Sequence, residues 1–372
     1  MTDNKNIFDL HMHPVMKSYM FGRKFSKQYS TPEGTSPFTM RVTLDRLLEG
    51  GVKTVLSSIY VWEKDLFKQA WPLHFIRKFF PKLDLIFKTP PDEMCRIQLD
   101  HQKEMIEDTK RLKGDVIDIA KSYSDMERIV SEGKICFVNS IEGAHVLNGN
   151  LDNLDNLYER GVAHMVVPHF YPNEAGYPAD SIPSSNFLRK LGMLKEVDYL
   201  NQGLTRFGRD LIDKMFDIGM LVDVCHGTPL LRKQVYEMAQ NNTKKRPVIM
   251  SHTGLYELAP YSKNATNSDI RHIADTGGVL GLIMMTWWLQ KPETKVCKDA
   301  IIHSIDHLIK YGGEDCVAFG SDFDGFTSVP DDFTSPSDYN YLRRVLDERY
   351  TEKQVEKFLY GNAARALKEG WG

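Results

Sequence analysis

Ile7-Phe8-Asp9-Leu10-His11-Met12-His13 is the stretch on which the fold turns. It reads as a short apolar strand ending in two histidines one residue apart, and side chains at i and i+2 of a strand share a face. His11 and His13 therefore point the same way from the strand's end. Imidazole nitrogens are common ligands for zinc and neighbouring transition metals. Alone, the pair reads equally well as a solvated strand end, so the later strands have to decide.

Working outward, residues 14–40 are rich in Ser, Thr, Pro, Gly and Lys and read as a long loop. A helix near Thr43–Glu49 stops at Gly50-Gly51, and Val52–Ile59 is the second strand. Residues 60–94 are a long aromatic and lysine-rich excursion, expected to be a lid or a contact to a second copy in a homodimer. A helix over about Glu93–Leu112 and a short strand Val116–Ala120 follow, then regular alternation of strand and helix. Strand Ile135–Ile141 ends in Glu142, Val162–Pro168 in His169, Met220–Cys225 in His226, Val248–Ser251 in His252, and Cys316–Gly320 runs into Asp322. Gly278–Met284 completes the set, and two helices over about 337–349 and 352–368 close the chain.

Such alternation implies a parallel sheet with helices outside it. Nine strands are expected and eight close a barrel, with Val116–Ala120 the spare. The expected fold is α/β: one (β/α)8 TIM-type barrel domain over 1–372 with inserted loops and C-terminal helices. In such barrels the chemistry sits at the C-terminal strand ends. The chain has 12 histidines, and five of them fall at those ends. That coincidence turns the first pair into a metal site.

Composition is that of an ordinary globular chain, 42% hydrophobic and 26% charged. A net charge of -3 argues against a nucleic-acid partner. Five widely spaced cysteines, none in a CxxC pair, are expected as free thiols in a reducing compartment. No apolar run is long enough to span a membrane and no signal peptide is visible, so a cytoplasmic location and no membrane partner are expected.

Four imidazoles and a carboxylate are too many for one catalytic zinc, which takes three protein ligands. They suit two metals bridged by Glu142, with His11 and His13 on one and His226 and His252 on the other. Such a pair acidifies a shared water and polarises a carbonyl. Asp322 then serves as proton acceptor and donor, and His169 stabilises the developing oxyanion. The expected chemistry is hydrolysis of an amide or ester. His145 and Asn173 sit in loops beside Glu142 and His169, where supporting roles are expected. Trp287-Trp288 is a candidate pocket wall, His303 and His307 a solvated helix face, and Cys225 a packed thiol.

The segments DLHMH (9–13), IEGAH (141–145), VVPHF (166–170), GLTRFGRDLIDKMFDIGMLVDVCH (203–226), RPVIMSH (246–252), FGSDFDG (319–325) and YGNAARAL (360–367) occur in an order and spacing that is specific as a set. Together they resemble the renal (membrane) dipeptidases of the amidohydrolase superfamily and their bacterial relatives. Only residues 60–94 lack a counterpart. The resemblance implies two zinc ions, one on His11, His13 and Glu142 and the other on Glu142, His226 and His252. It also implies His169 as a substrate contact and Asp322 as partner of the bridging water. The implied activity is hydrolysis of small free dipeptides, often with a D-residue at the C-terminal position. Two positions depart from the family pattern. His13 stands where the family has Asp, and Lys263-Asn264 where it has an arginine-asparagine pair that grips the substrate carboxylate. Lysine keeps that charge but loses the bidentate fork. Lys263, His169 and Asn173 are therefore the expected substrate-binding residues. The alternatives are a related hydrolase acting on an N-acyl amino acid, cyclic amide or lactone, and a catalytically silent barrel.

Overall fold

Nine parallel strands are found among the residues that the computed structural model describes, which are 6–32, 38–179, 199–290, 295–325 and 328–372. They are β1 (Ile7–Met12), β2 (Val52–Ile59), β3 (Ile117–Ala120), β4 (Ile135–Glu142), β5 (Val162–Val166), β6 (Leu221–Asp223), β7 (Val248–Thr253), β8 (Leu280–Leu282) and β9 (Val317–Phe319). Their side chains are buried almost throughout, as a sheet covered on both faces demands. β2 lies between β1 and β4, and the ladder continues through β5, β6, β7, β8 and β9 back to β1, closing eight strands into a (β/α)8 barrel.

β3 is the expected spare strand. It pairs with the first half of β4, from Ile117 opposite Ile135 to Ala120 opposite Val138. From Asn139 onward that edge of β4 belongs to β5. The junction is a splice that leaves the C-terminal rim of the barrel intact.

Helix boundaries follow local chemistry. Thr205 caps Arg206–Ile218 by accepting from the Gly208 N–H at 3.0 Å, and Gly219 ends that helix with φ 75°. Thr228 caps Pro229–Asn241, with Pro229 in the first turn, where its missing N–H costs nothing. The last helix, Asn362–Gly370, touches β1, β6 and β9, strands from opposite sides of the barrel, and packs Ala363, Ala366 and Leu367 with Phe8 and Leu221. It seals the end of the barrel away from the histidines.

One segment differs from expectation, and a second gains detail. Residues 14–21 form a helix, Pro14–Phe21, instead of loop. Pro14 presets the first turn, Val15, Met16 and Tyr19 bury one face, and Gly22 ends it in the left-handed region at φ 62°. The excursion is also helical, with Lys64–Gln69, Trp71–Ile76 and Pro81–Lys88 preceding the long helix Pro91–Lys113.

At the β1–β9 seam, buried Asp9 accepts from the His11 N–H at 2.9 Å, the Ser321 N–H at 3.1 Å and the Tyr339 hydroxyl at 2.5 Å. Burial pushes its carboxyl up to about 6, with those donors opposing. The folded chain thus keeps a proton that the unfolded chain releases near pH 3.8. This contribution to stability is full below that pH and is lost as pH rises to about 6. Tyr339→Phe is expected to cost about 1–3 kcal/mol in urea unfolding, and Asp9→Asn to flatten the stability–pH curve across that window.

Candidate metal centre

β1 ends by delivering His11 and His13 to one spot, and their Nε2 atoms lie 3.0 Å apart. β7 delivers His252, and the turn after β6 delivers His226, with Nε2 atoms 2.8 Å apart. Glu142, the last residue of β4, stands between the two pairs. Its Oε1 lies 3.3 Å from His11 Nε2 and 3.5 Å from both His226 and His252 Nε2, and its Oε2 lies 3.4 Å from His13 Nε2. His169 Nε2 is 3.4 Å from Glu142 Oε1, and Asp322 Oδ1 is 3.2 Å from His13 Nε2. These seven of the nine site residues named from the sequence converge here, and all seven are buried.

Backbone conformation aims two of them. His226 and Asp322 sit at φ 61° and 60°, in the left-handed region that non-glycine residues rarely adopt. Each lies three positions past the end of a three-residue strand, so the reversal swings the side chain over the barrel mouth instead of continuing the ladder. Such strain concentrates at functional sites. Hydrogen bonds hold the reversals: Asp322 N–H donates to His11 O at 2.8 Å, and Ala179 N–H to His226 O at 2.6 Å.

The protonation states suit cation binding. Burial pushes His226 down to about 3, and burial with the neighbouring His11 and His226 rings holds His252 well below the usual imidazole range. Both shifts favour the neutral ring that cation binding requires. Burial alone would raise Glu142, but the charges of His169, His11 and His13 hold its carboxyl well below the usual range. His11 moves up, because Glu142 and Asp322 outweigh the burial that opposes it. On the outer side of the rings, His11 Nδ1 faces Ser58 Oγ at 3.1 Å and Ser251 Oγ at 3.3 Å, and His252 Nδ1 faces Ser251 Oγ at 2.9 Å. With those nitrogens engaged, the Nε2 atoms face one another and Glu142. Three overlapping His–carboxylate groups each bring their ligand atoms within 4.8 Å, namely His11–Glu142–His252, His11–His13–Asp322 and Glu142–His169–His226. Imidazoles and carboxylates so crowded fit divalent transition metals.

Residues that the sequence reading missed support this layer. Glu63, just beyond β2, accepts from His169 Nδ1 at 3.2 Å, from the Phe170 N–H at 3.0 Å and from the Tyr60 hydroxyl. Burial opposes its charge, but His169 brings its carboxyl down to about 2. Below the histidines runs a buried polar circuit: Ser58 Oγ to Ser140 Oγ at 3.1 Å, Ser140 Oγ to His164 Nδ1 at 2.7 Å, His164 Nε2 to Asp223 Oδ2 at 2.9 Å, and Asp223 to the Ser251 N–H at 3.1 Å. Ser58 and Ser140 left no signal of their own, because their partners come from neighbouring strands. Neither did Glu63, whose partner lies 106 residues away.

The remaining expectations resolve as follows. The Lys263 ammonium lies over the Trp288 ring, which meets the His226 ring edge-on with centroids 5.8 Å apart. Trp288 thus walls the site. Asn173 is spent on its own loop: its Nδ2 donates to Val167 O at 3.0 Å, and its Oδ1 accepts from the Ala175 N–H at 2.8 Å and the Gly176 N–H at 3.2 Å. His145 Nε2 reaches Val61 O at 2.7 Å, bracing the segment that carries Glu63. Cys225 packs against the His252 backbone, its thiol pushed well up by burial. His303 and His307 line an outer groove with Asp299 and Asp306.

A parallel barrel that gathers histidines and carboxylates at its C-terminal rim is an arrangement suited to metal-assisted hydrolysis. Residues 2–370 match the family model for "Membrane dipeptidase (Peptidase family M19)", and the chain belongs to that family of metallo-dipeptidases. Dipeptidase tcpJ of Claviceps purpurea is 25% identical over 340 residues, covering 90% of this chain and 70% of that protein. Two solved structures superpose with TM-score 0.76. One is a metallopeptidase described as dipeptidase AC, 20% identical and covering 99% of both chains. The other is a metallopeptidase from Rhodobacter sphaeroides liganded with a phosphinate mimic of the dipeptide L-Ala-D-Ala, 19% identical and covering 98% of this chain and 99% of that one.

Glu63→Ala is expected to lower dipeptide turnover by roughly 10- to 100-fold with metal content unchanged. Glu63→Gln, which keeps an oxygen acceptor for His169, should restore much of it. Equal turnover in wild type and Glu63→Ala would remove Glu63 from the site's support.

Proposed function

We propose that the chain is a binuclear zinc dipeptidase that hydrolyses small free dipeptides, including those with a D-residue at the C-terminal position. The position of Glu142 carries this reading. One carboxylate stands within 3.5 Å of both the His11–His13 pair and the His226–His252 pair, as a bridging ligand must. His11 and His13 with Glu142 would hold one metal, and His226 and His252 with Glu142 the other. When bound, the metals polarise the scissile carbonyl and make a water acidic near neutral pH. The Rhodobacter relative's dipeptide mimic supports the substrate class and its stereochemistry.

The chain's own groups supply the rest. The Asp322 carboxylate, at His13, accepts the proton from the attacking water and returns it to the leaving amine. His169 is held through Nδ1 by Glu63, which leaves Nε2 beside Glu142 to donate to the oxygen that gains charge. Lys263 pairs with the substrate's free carboxylate, with Trp288 as the wall beneath it. Asn173 contributes by shaping the loop that presents His169. One water adds across one amide bond, giving two amino acids.

A second reading within the same chemistry, hydrolysis of an N-acyl amino acid, a cyclic amide or a lactone, draws on Lys263, a point charge where a fork would select a carboxylate more strictly. Among the described residues no helix is long and apolar enough to cross a membrane, and the five cysteines, all buried and free, support a reducing cytoplasmic setting.

Elemental analysis of the purified protein should give about two zinc ions per chain, with Glu142→Gln losing metal and activity together. Asp322→Asn should keep the metals while turnover falls roughly 100- to 10,000-fold; undiminished turnover would refute its role. Lys263→Ala should raise KM for free dipeptides far more than for their C-terminal amides. Two metals without turnover of any L-Xaa-L-Xaa or L-Xaa-D-Xaa dipeptide would move the substrate to the second reading.

A further inference from the structure

The excursion between Glu63 and the helix Pro91–Lys113 carries two apolar faces, and the fold uses one of them. The inner face buries Phe67 and Ile86 and stacks the Arg77 guanidinium 3.9 Å from the Phe87 ring centroid, with Asp84 as its ion partner. This already anchors the helices. The outer face carries Trp71, Phe75 and Phe79, at i, i+4 and i+8, exposed by 61, 57 and 69%. Phe75 and Phe79 lie side by side, with ring centroids 5.4 Å apart. Of the twelve large apolar side chains exposed among the described residues, six fall between Trp71 and Leu85. An apolar patch so concentrated marks a docking surface.

Charge identifies the occupant. From Lys64 to Lys88 the chain has six Lys or Arg residues against Asp65 and Asp84, a net +4 in a protein whose total is -3. Lys78, next to Phe79 in the chain, stands exposed, and so does Lys82, whose ammonium lies 4.3 Å from the Tyr19 ring centroid. A symmetric dimer through this face would set the basic segment against its own copy, like charge on like. Aromatic rings flanked by lysines instead match the headgroup boundary of an anionic bilayer, where rings enter the interface and lysines meet lipid phosphates. The lack of a membrane-crossing helix bears on spanning, not on lying at a surface.

We infer that the helical segment 64–88 docks the enzyme onto anionic phospholipid surfaces, with the catalytic rim, joined to it at Glu63, brought close to the bilayer. The inference stands independently of the substrate reading.

The test is co-sedimentation of the full chain with large unilamellar vesicles, either phosphatidylcholine alone or phosphatidylcholine with phosphatidylglycerol, alongside mass measurement in solution. The protein should pellet with the phosphatidylglycerol vesicles and much less with phosphatidylcholine alone, and high salt should weaken the binding. Trp71→Ser/Phe75→Ser/Phe79→Ser and, separately, Lys78→Glu/Lys82→Glu should each reduce the bound fraction by roughly tenfold or more. Both change exposed residues outside the metal centre, so unaltered thermal unfolding shows that they are folded. No difference between the vesicle types, or binding unchanged in both variants, would overturn the inference. So would a dimer in solution that the triple variant converts to monomer without any vesicle binding, which would assign the face to a second copy.

Discussion

The burial of one carboxylate governs this structure. Glu142 is taken out of water at the end of β4, and an unpaired buried carboxylate is among the costliest features a fold can contain. Its charge is tolerable only because five imidazoles, those of His11, His13, His169, His226 and His252, surround it within 3.5 Å. Those imidazoles come from β1, from the loop after β5, from the turn after β6 and from β7. Bringing them to one point requires that the sheet close, because an open sheet would not turn the ends of β1, β4 and β7 towards a common centre. The barrel and the cluster are thus one requirement seen at two scales.

Precision in the cluster comes from the tier beneath it. Ser251 alone serves three partners: its hydroxyl meets the Nδ1 atoms of His11 and His252, and its N–H donates to Asp223. Asp223 in turn ties to His164, whose charge and hydrogen bond keep the Asp223 carboxyl low although burial opposes it. A polar circuit of this kind is favourable only when its members are satisfied. It also fixes which nitrogen of the His11 and His252 rings faces the cluster, the role that outer partners of metal-binding histidines generally serve.

Much of this was legible in the sequence, for an identifiable reason. Strand ends in a parallel barrel share one rim, so a histidine at the end of each apolar run projects to the same place, and position along the chain stands in for position in space. His11, Glu142, His169, His226, His252 and Asp322 were readable on that basis. What escaped depends on pairings between strands. Ser58, Ser140 and Ser251 look like ordinary small residues in apolar runs until β2, β4 and β7 are laid around the barrel. Glu63 looks like the first residue of a loop until that loop is folded over His169. The helix Pro14–Phe21 was hidden by polar neighbours, because composition averaged over residues 14–40 diluted a two-turn apolar face.

The two halves of the cluster are not equivalent. His226 and His252 are driven towards neutrality by burial, with Glu142 too weak an opponent to bring them back. His11 is buried as completely, yet Glu142 and Asp322 together carry it the other way. The difference is one of neighbours: the His11–His13 pair shares its side of the site with Asp322, whereas His226 feels the opposing charges of His169 and Lys263. An imidazole drawn towards protonation surrenders its lone pair more readily to a proton, and one held neutral keeps it for a cation. The β6–β7 side of the site is therefore the side whose surroundings favour neutral rings, and the β1 side the one where the carboxylates pull His11 the other way.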